Sequence, residues 1–192
     1  MQDRDDWYGY IYPKNLEVMS RPKILVPSIG VQAEFCLDIR GDFFFVGSGG
    51  GGGGGYAIIP SIKIELAYLV GLLNSKVLDT YLKAVTTRFH SGWYAYSRLY
   101  LAQIPIKLPE TAQERKLADQ IVERVEGIID AKNQLQKGAA GDRAVERLER
   151  EIEGHQQRID ELVCRLYGVD EIPDGEGLKA DAAKAPGQHG ME

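Results

Sequence analysis

YLVGLLNSKVLDTYLKAVTTRFHSGWYAYSRLYLAQIPIKLP, residues 68–109, changes character twice along its length. It opens with an amphipathic run in which Leu69, Leu72, Leu73, Val77, Leu78, Tyr81 and Leu82 return at helical spacing. Asn74-Ser75-Lys76 falls on or beside the polar face of that run. Arg88-Phe-His-Ser-Gly-Trp-Tyr-Ala-Tyr-Ser-Arg98 follows, with aromatic and cationic side chains interleaved around a flexible Ser-Gly. Leu101-Ala-Gln-Ile-Pro-Ile-Lys-Leu-Pro109 closes the stretch as a short, strand-like apolar run punctuated by proline. A buried helix, a wet aromatic–basic loop and a stiff exit outline a binding module.

Upstream, the chain reads as short strands. Residues 7–19 are aromatic and polar by turns, an irregular segment that packs rings onto a domain surface. Ile24-Leu-Val26 between Pro22 and Pro27 is a strand whose ends lack ladder donors, which predicts a short strand or one near an edge. Phe35, Leu37 and Ile39 alternate with Cys36, Asp38 and Arg40, Gly41-Asp42 turns the chain, and Phe43–Val46 is the expected return strand. A run of glycines, Gly49–Gly55, precedes the β-like segment Tyr56-Ala-Ile-Ile-Pro60. Bare amides there suit a phosphate loop, a plain flexible connection, or a backbone that comes close to another polymer. The phosphate-loop reading lacks the Gly-Lys-Ser/Thr ending and a following helix.

Downstream, two helical segments, 111–137 and 142–167, flank Gly138-Ala-Ala-Gly141. Ala118, Ile121, Val125, Ile128, Lys132 and Leu135 step alternately by 3 and 4, as do Val145, Leu148, Ile152, His155, Ile159 and Leu162. Each series is a heptad seam. The two are mirror images about residues 139–140, so an antiparallel hairpin sets Leu135 against Val145, Lys132 against Leu148, Val125 against His155 and Ala118 against Leu162. Lys132 and His155 are the polar exceptions, and with no second His or Cys at ligand spacing no metal site is expected. From residue 169 the hydrophobicity collapses, and 169–192 reads as a disordered tail.

Composition narrows the function. The N-terminus is acidic and polar, no apolar run reaches the roughly 18–20 residues of a membrane span, and Cys36 and Cys164 read as two reduced thiols. A cytoplasmic protein without a membrane partner is expected. The formal net charge is −5. It is uneven: residues 61–109 carry 6 Lys/Arg against 2 Asp/Glu, whereas residues 1–60 carry 5 against 7. The basic segment is thus the one with the aromatic loop, and screening makes the local patch matter more than the total.

Tyr12-Pro-Lys-Asn-Leu, Pro22-Lys-Ile-Leu-Val-Pro27, the Phe35–Tyr56 segment ending in Gly-Gly-Gly-Tyr, Gly71-Leu-Leu-Asn-Ser-Lys76, the Leu101–Pro105 exit and Ile159-Asp-Glu-Leu-Val-Cys-Arg-Leu-Tyr-Gly168 occur in this order. Together they resemble the TaqI-like C-terminal specificity domain of adenine-specific DNA methyltransferases and fused restriction–modification enzymes, over roughly residues 8–168. The resemblance implies a mixed α/β target-recognition domain that reads a short sequence in double-stranded DNA, followed by helices akin to the spacers of type I specificity subunits. With the seams and the tail, the expected chain is α+β, with that domain at 1–109, an antiparallel coiled-coil-like hairpin at 110–168 and the disordered tail at 169–192. In such enzymes a separate domain of the same parent chain binds S-adenosylmethionine and methylates adenine, in some with endonuclease activity, as part of a bacterial-type defence. Its Asn/Asp-Pro-Pro signature needs adjacent prolines, and none of the 8 prolines here adjoin. This fragment is therefore expected to hold no cofactor and to catalyse nothing itself.

On that reading the DNA-binding residues are Lys23, Lys63, Lys83, Arg88, His90, Ser91, Trp93, Tyr94, Tyr96, Arg98 and Lys107. Arg88 and Arg98 are the base readers, because guanidinium pairs bidentately with guanine. Lys83 and Lys107 suit phosphates, and Trp93, Tyr94 and Tyr96 suit sugars or the space left by a flipped adenine. Lys23 equally fits an edge gatekeeper. Two rival classes remain: a helical-hairpin protein–protein interaction module without DNA binding, and a nucleotide-binding enzyme built on the glycine run.

Overall fold

A computed structural model describes residues 16–44, 54–138 and 141–170. The aromatic segment 7–15, residues 45–53 with most of the glycine run, the turn at 139–140 and nearly all of the expected tail lie outside the described residues. The architecture is α+β, with small antiparallel sheets and two long C-terminal helices.

A helical turn, α1 (Leu16–Met19), leads into β1 (Lys23–Pro27), β2 (Ile29–Gly30), β3 (Cys36–Asp38) and β4 (Gly55–Ile58). The sheet order is β3-β1-β4, all antiparallel, with Ile24 opposite both Leu37 and Ile58. The two prolines do shorten β1, but they leave it central rather than near an edge, because each lies at a strand end where no ladder bond is required. The expected hairpin over 35–46 also differs: residues 41–44 form no strand, and β1 takes its partners from either side of that loop.

The reason is Asp38. Its carboxylate is buried and accepts N–H bonds from Gly41 (2.9 Å), Asp42 (3.1 Å) and Phe43 (3.1 Å), as well as the ammonium of Lys23. A carboxylate that gathers three successive amides folds residues 39–43 back on themselves, so they cannot run on as a strand.

The amphipathic run is two helices, α2 (Leu66–Leu73) and α3 (Lys76–Val85), broken at Asn74-Ser75. These are not surface residues. Ser75 is fully buried and caps α3, its hydroxyl accepting from Leu78 N. Asn74 donates from Nδ2 to Phe35 O and accepts Phe35 N–H at Oδ1, both at 2.8 Å, as a strand would. The break in the helix thereby satisfies the backbone beside the sheet edge.

α5 (Ala112–Gln136) and α6 (Asp142–Tyr167) form the expected antiparallel hairpin. A capping box starts α5, with Thr111 Oγ1 accepting from Glu114 N at 3.1 Å and Glu114 Oε2 accepting from Thr111 N at 3.0 Å. The seam departs from the heptad reading at two places. Ala131 is buried where Lys132 was expected, and Lys132 is exposed. His155 lies against Gly127, whose missing side chain leaves room for the ring: a Cβ there would be 2.6 Å from His155 Nε2. Val125 turns instead to α2.

That turn makes the core continuous. Gly71 of α2 presents bare backbone to Ile121 and Val125, whose Cγ2 atoms would lie 2.6 and 3.0 Å from an added Cβ. One buried cluster runs from Ile24, Val26 and Phe35 through Leu69, Leu72, Leu78 and Leu82 to Leu117, Ile121, Val125, Ile159, Leu162, Val163 and Leu166. The hairpin's apolar face is packed within the molecule.

Candidate nucleic-acid interface

The aromatic–basic loop is a narrow ribbon. Strand β5 (Tyr94–Ala95) pairs antiparallel with β2, setting Gly30 against Tyr94 and Ile29 against Ala95. On its other side the chain pairs with itself: Ala95 N donates to Thr87 O (3.1 Å), Arg88 bridges Tyr94, and Phe89 N donates to Trp93 O (2.7 Å). Ser91 and Gly92 form the tip, at φ 64° and 78°. With Phe89 opposite Trp93 the loop has three residues, 90–92, and the left-handed conformation at its last one is the place such loops favour glycine. Ser-Gly in the sequence thus marks a specific turn.

The ribbon is fastened at its base. Thr86 Oγ1 donates to Ala95 O, the hydroxyls of Thr87 and Tyr100 are hydrogen-bonded, and Tyr96 N donates to Ser28 O at 3.0 Å. A helical turn, α4 (Arg98–Leu101), follows, with Arg98 exposed. The run 101–109 is not a strand: its backbone is tethered to the helices instead. Tyr68 Oη donates to Lys107 O at 2.7 Å and Tyr167 Oη to Pro105 O at 2.7 Å.

The expected contact residues separate into three groups. Arg88, Ser91, Trp93 and Arg98 are exposed on the ribbon or just after it, and His90 is in the tip turn with them. Lys63 is exposed in the loop before α2, and Tyr94 is half-buried.

Lys83 and Lys107 are engaged elsewhere. Lys83 Nζ is 2.6 Å from Asp79 Oδ2 and 5.6 Å from the centre of the Tyr94 ring. Lys107 Nζ donates to Leu166 O (2.8 Å), at the end of α6, and reaches Glu114 Oε1 (2.9 Å), in the first turn of α5. Those partners, the Lys107 ammonium first and then the amides of Thr111 and Glu110, pull the Glu114 carboxyl down to about 2. Lys107 is a clasp between the helices.

Lys23 and Tyr96 are inside, which removes both from the expected contact set. Lys23 is 0% exposed, paired with Asp38 and donating to Met19 O. Tyr96 is also 0% exposed, its ring edge-on to Phe35 with centroids 5.5 Å apart, and burial pushes its hydroxyl above the ordinary value of 10.0. Lys23 looked like a surface cation because its partner is 15 residues away; Tyr96 alternates with two half-buried neighbours and nothing local marks it. Phe89 lies outside the expected contact set. It is 49% exposed beside Trp93, and only the register of the ribbon reveals the pairing.

Among the described residues no group of His, Cys, Asp and Glu is arranged to hold a metal ion. None of their helices is long and apolar enough to cross a membrane. The ribbon and the turn after it carry exposed basic and aromatic side chains. The family model for the TaqI-like C-terminal specificity domain matches residues 2–106, and the chain belongs to that family. The match ends just before α5, so the hairpin lies beyond it. No curated protein matches the chain. A specificity domain is a non-catalytic part, associated with DNA recognition in restriction and modification.

Proposed function

We propose that this chain reads a short sequence in double-stranded DNA as the C-terminal specificity domain of an adenine-specific DNA methyltransferase or restriction–modification enzyme. The methyltransferase domain belongs to the same parent chain and binds S-adenosylmethionine, and the parent acts in the cytoplasm. The observation that carries this reading is the fastened ribbon 87–95, which presents Arg88, Ser91 and Trp93 from a rigid base, with Arg98 directly after it. A two-stranded ribbon is narrow enough for the major groove, where guanidinium and hydroxyl groups meet base edges. Lys63 supplies a phosphate contact at the margin.

The test is the salt dependence of binding to a fixed duplex. A chain that neutralises phosphates loses affinity linearly in log–log form as salt rises, with a slope of about −0.9 for each phosphate. The interaction-module reading predicts a flat line or no binding. With the apolar seam packed in the shared core, that rival would dock its partner through the outer faces of the helices.

A further inference from the structure

The ribbon's two faces have different surroundings. Arg88 pairs with Tyr94 and Phe89 with Trp93. Neighbouring residues in a strand point to opposite sides, so the first pair lies on one face and the second on the other. The Tyr94 ring looks onto Lys83 of α3. Phe89 and Trp93 face away from that contact, directly across the ribbon from each other, and are 49% and 42% exposed. Large rings that only filled a core would not be left together in water beside a tight turn. Nor is the segment loose, since the hydrogen bonds of Thr86, Thr87 and Tyr96 hold its base.

We propose that Phe89 and Trp93 form an aromatic wedge that enters the base stack of a duplex at one step, stacking on bases that have parted there. The proposal rests on the ribbon being the DNA-facing element and adds how it engages: by distorting the duplex as well as reading its edges. Apolar side chains inserted between base pairs act in this way in architectural proteins, and aromatic rings stack on any base. Opening a step is opposed by the stacking of the DNA itself, so the wedge must be stiff. The turn at Ser91-Gly92 and the fastened base supply that stiffness. Arg88, one residue from Phe89, lies on the opposite face, where it can hold the adjoining backbone or base edge.

The test uses the whole chain with Trp7→Phe, which leaves Trp93 as the one indole of the two in the sequence. It is titrated at low salt with a duplex of fixed sequence, intact or carrying one abasic site. The wedge predicts quenching of Trp93 emission on binding. It also predicts roughly tenfold tighter binding of the abasic duplex, where a step is already open, the order expected for one base–ring stack. Phe89→Ala and Trp93→Ala, measured by anisotropy of a labelled duplex, bring that preference to about unity while circular dichroism shows an unchanged fold. Salt-dependent binding with unaltered Trp93 emission and no abasic preference overturns the wedge and leaves DNA recognition standing. Absence of salt-dependent binding to either duplex overturns both.

Discussion

Lys23 and Asp38 are enclosed together, and neither can regain water if the other is removed. Replacing Lys23 with Ala strands a buried carboxylate, and the expected loss is about 3–5 kcal/mol in urea unfolding. The pair also sets an acid limit. Burial works against the charge of Asp38, but Lys23 and the amides of Phe43 and Asp42 outweigh it, holding the carboxyl below its ordinary 3.8. A folded value below the unfolded one gives stability that is present above the unfolded pKa and disappears as pH falls through the folded one. The gap in stability between the wild type and Asp38→Asn should accordingly be constant near neutrality and close only below about pH 4. A gap that closes above pH 5 contradicts this. On the surface, Arg88→Ala and Arg98→Ala are each expected to cost about 1–3 kcal/mol on the preferred duplex and relax selectivity at one position. Equal losses on every sequence, measured across a panel of duplexes, would show that these arginines touch only phosphate.

Among the elements, α2 and α5 meet at Gly71, and the contact depends on an absent side chain. Ala at this position gains about 1 kcal/mol of helix propensity. It must also displace the branched side chains of Ile121 and Val125, and overpacking of that kind costs about 1–3 kcal/mol. Gly71→Ala is thus expected to lower the unfolding midpoint, with a net loss of up to about 2 kcal/mol. An increase in stability would mean that the helices separate freely. This scale also shows where sequence was legible. The hairpin could be read from its alternating steps because helix pairing is local and periodic. Even there, Ala131 replaced Lys132 at the seam, and Gly127 rather than Val125 met His155, Val125 being packed on Gly71 of α2. The sheet was harder. Its order depends on pairings across long loops, and a single carboxylate, Asp38, converted an expected return strand into a folded loop. The ribbon was visible as composition, an interleaving of rings and cations, but its faces were not, since alternation acquires direction only once Tyr94 finds Lys83.

At the scale of the molecule, recognition domain and hairpin are joined through one core. Leu117, Ile121, Val125, Ile159 and Leu162 complete the burial of α2, and Lys107 clasps both helix ends to the exit segment. A fragment ending at residue 109 would expose that face, and each large apolar side chain uncovered forfeits about 1.5–3 kcal/mol. Since whole domains hold only about 5–15 kcal/mol, residues 1–109 alone are expected to show no cooperative thermal transition. A sharp transition in that fragment would make the hairpin an independent appendage. The change of composition after Pro109 gives no sign that the residues on either side share an interior. What the shared core positions is the ribbon. The most direct measurement is selection from a pool of random duplexes on the immobilised chain at low salt, with sequencing of the retained DNA. Enrichment of one short motif, lost together in Arg88→Ala and Arg98→Ala, is the predicted result. Failure to retain DNA at all, or retention with no motif enriched, would contradict sequence recognition by this chain.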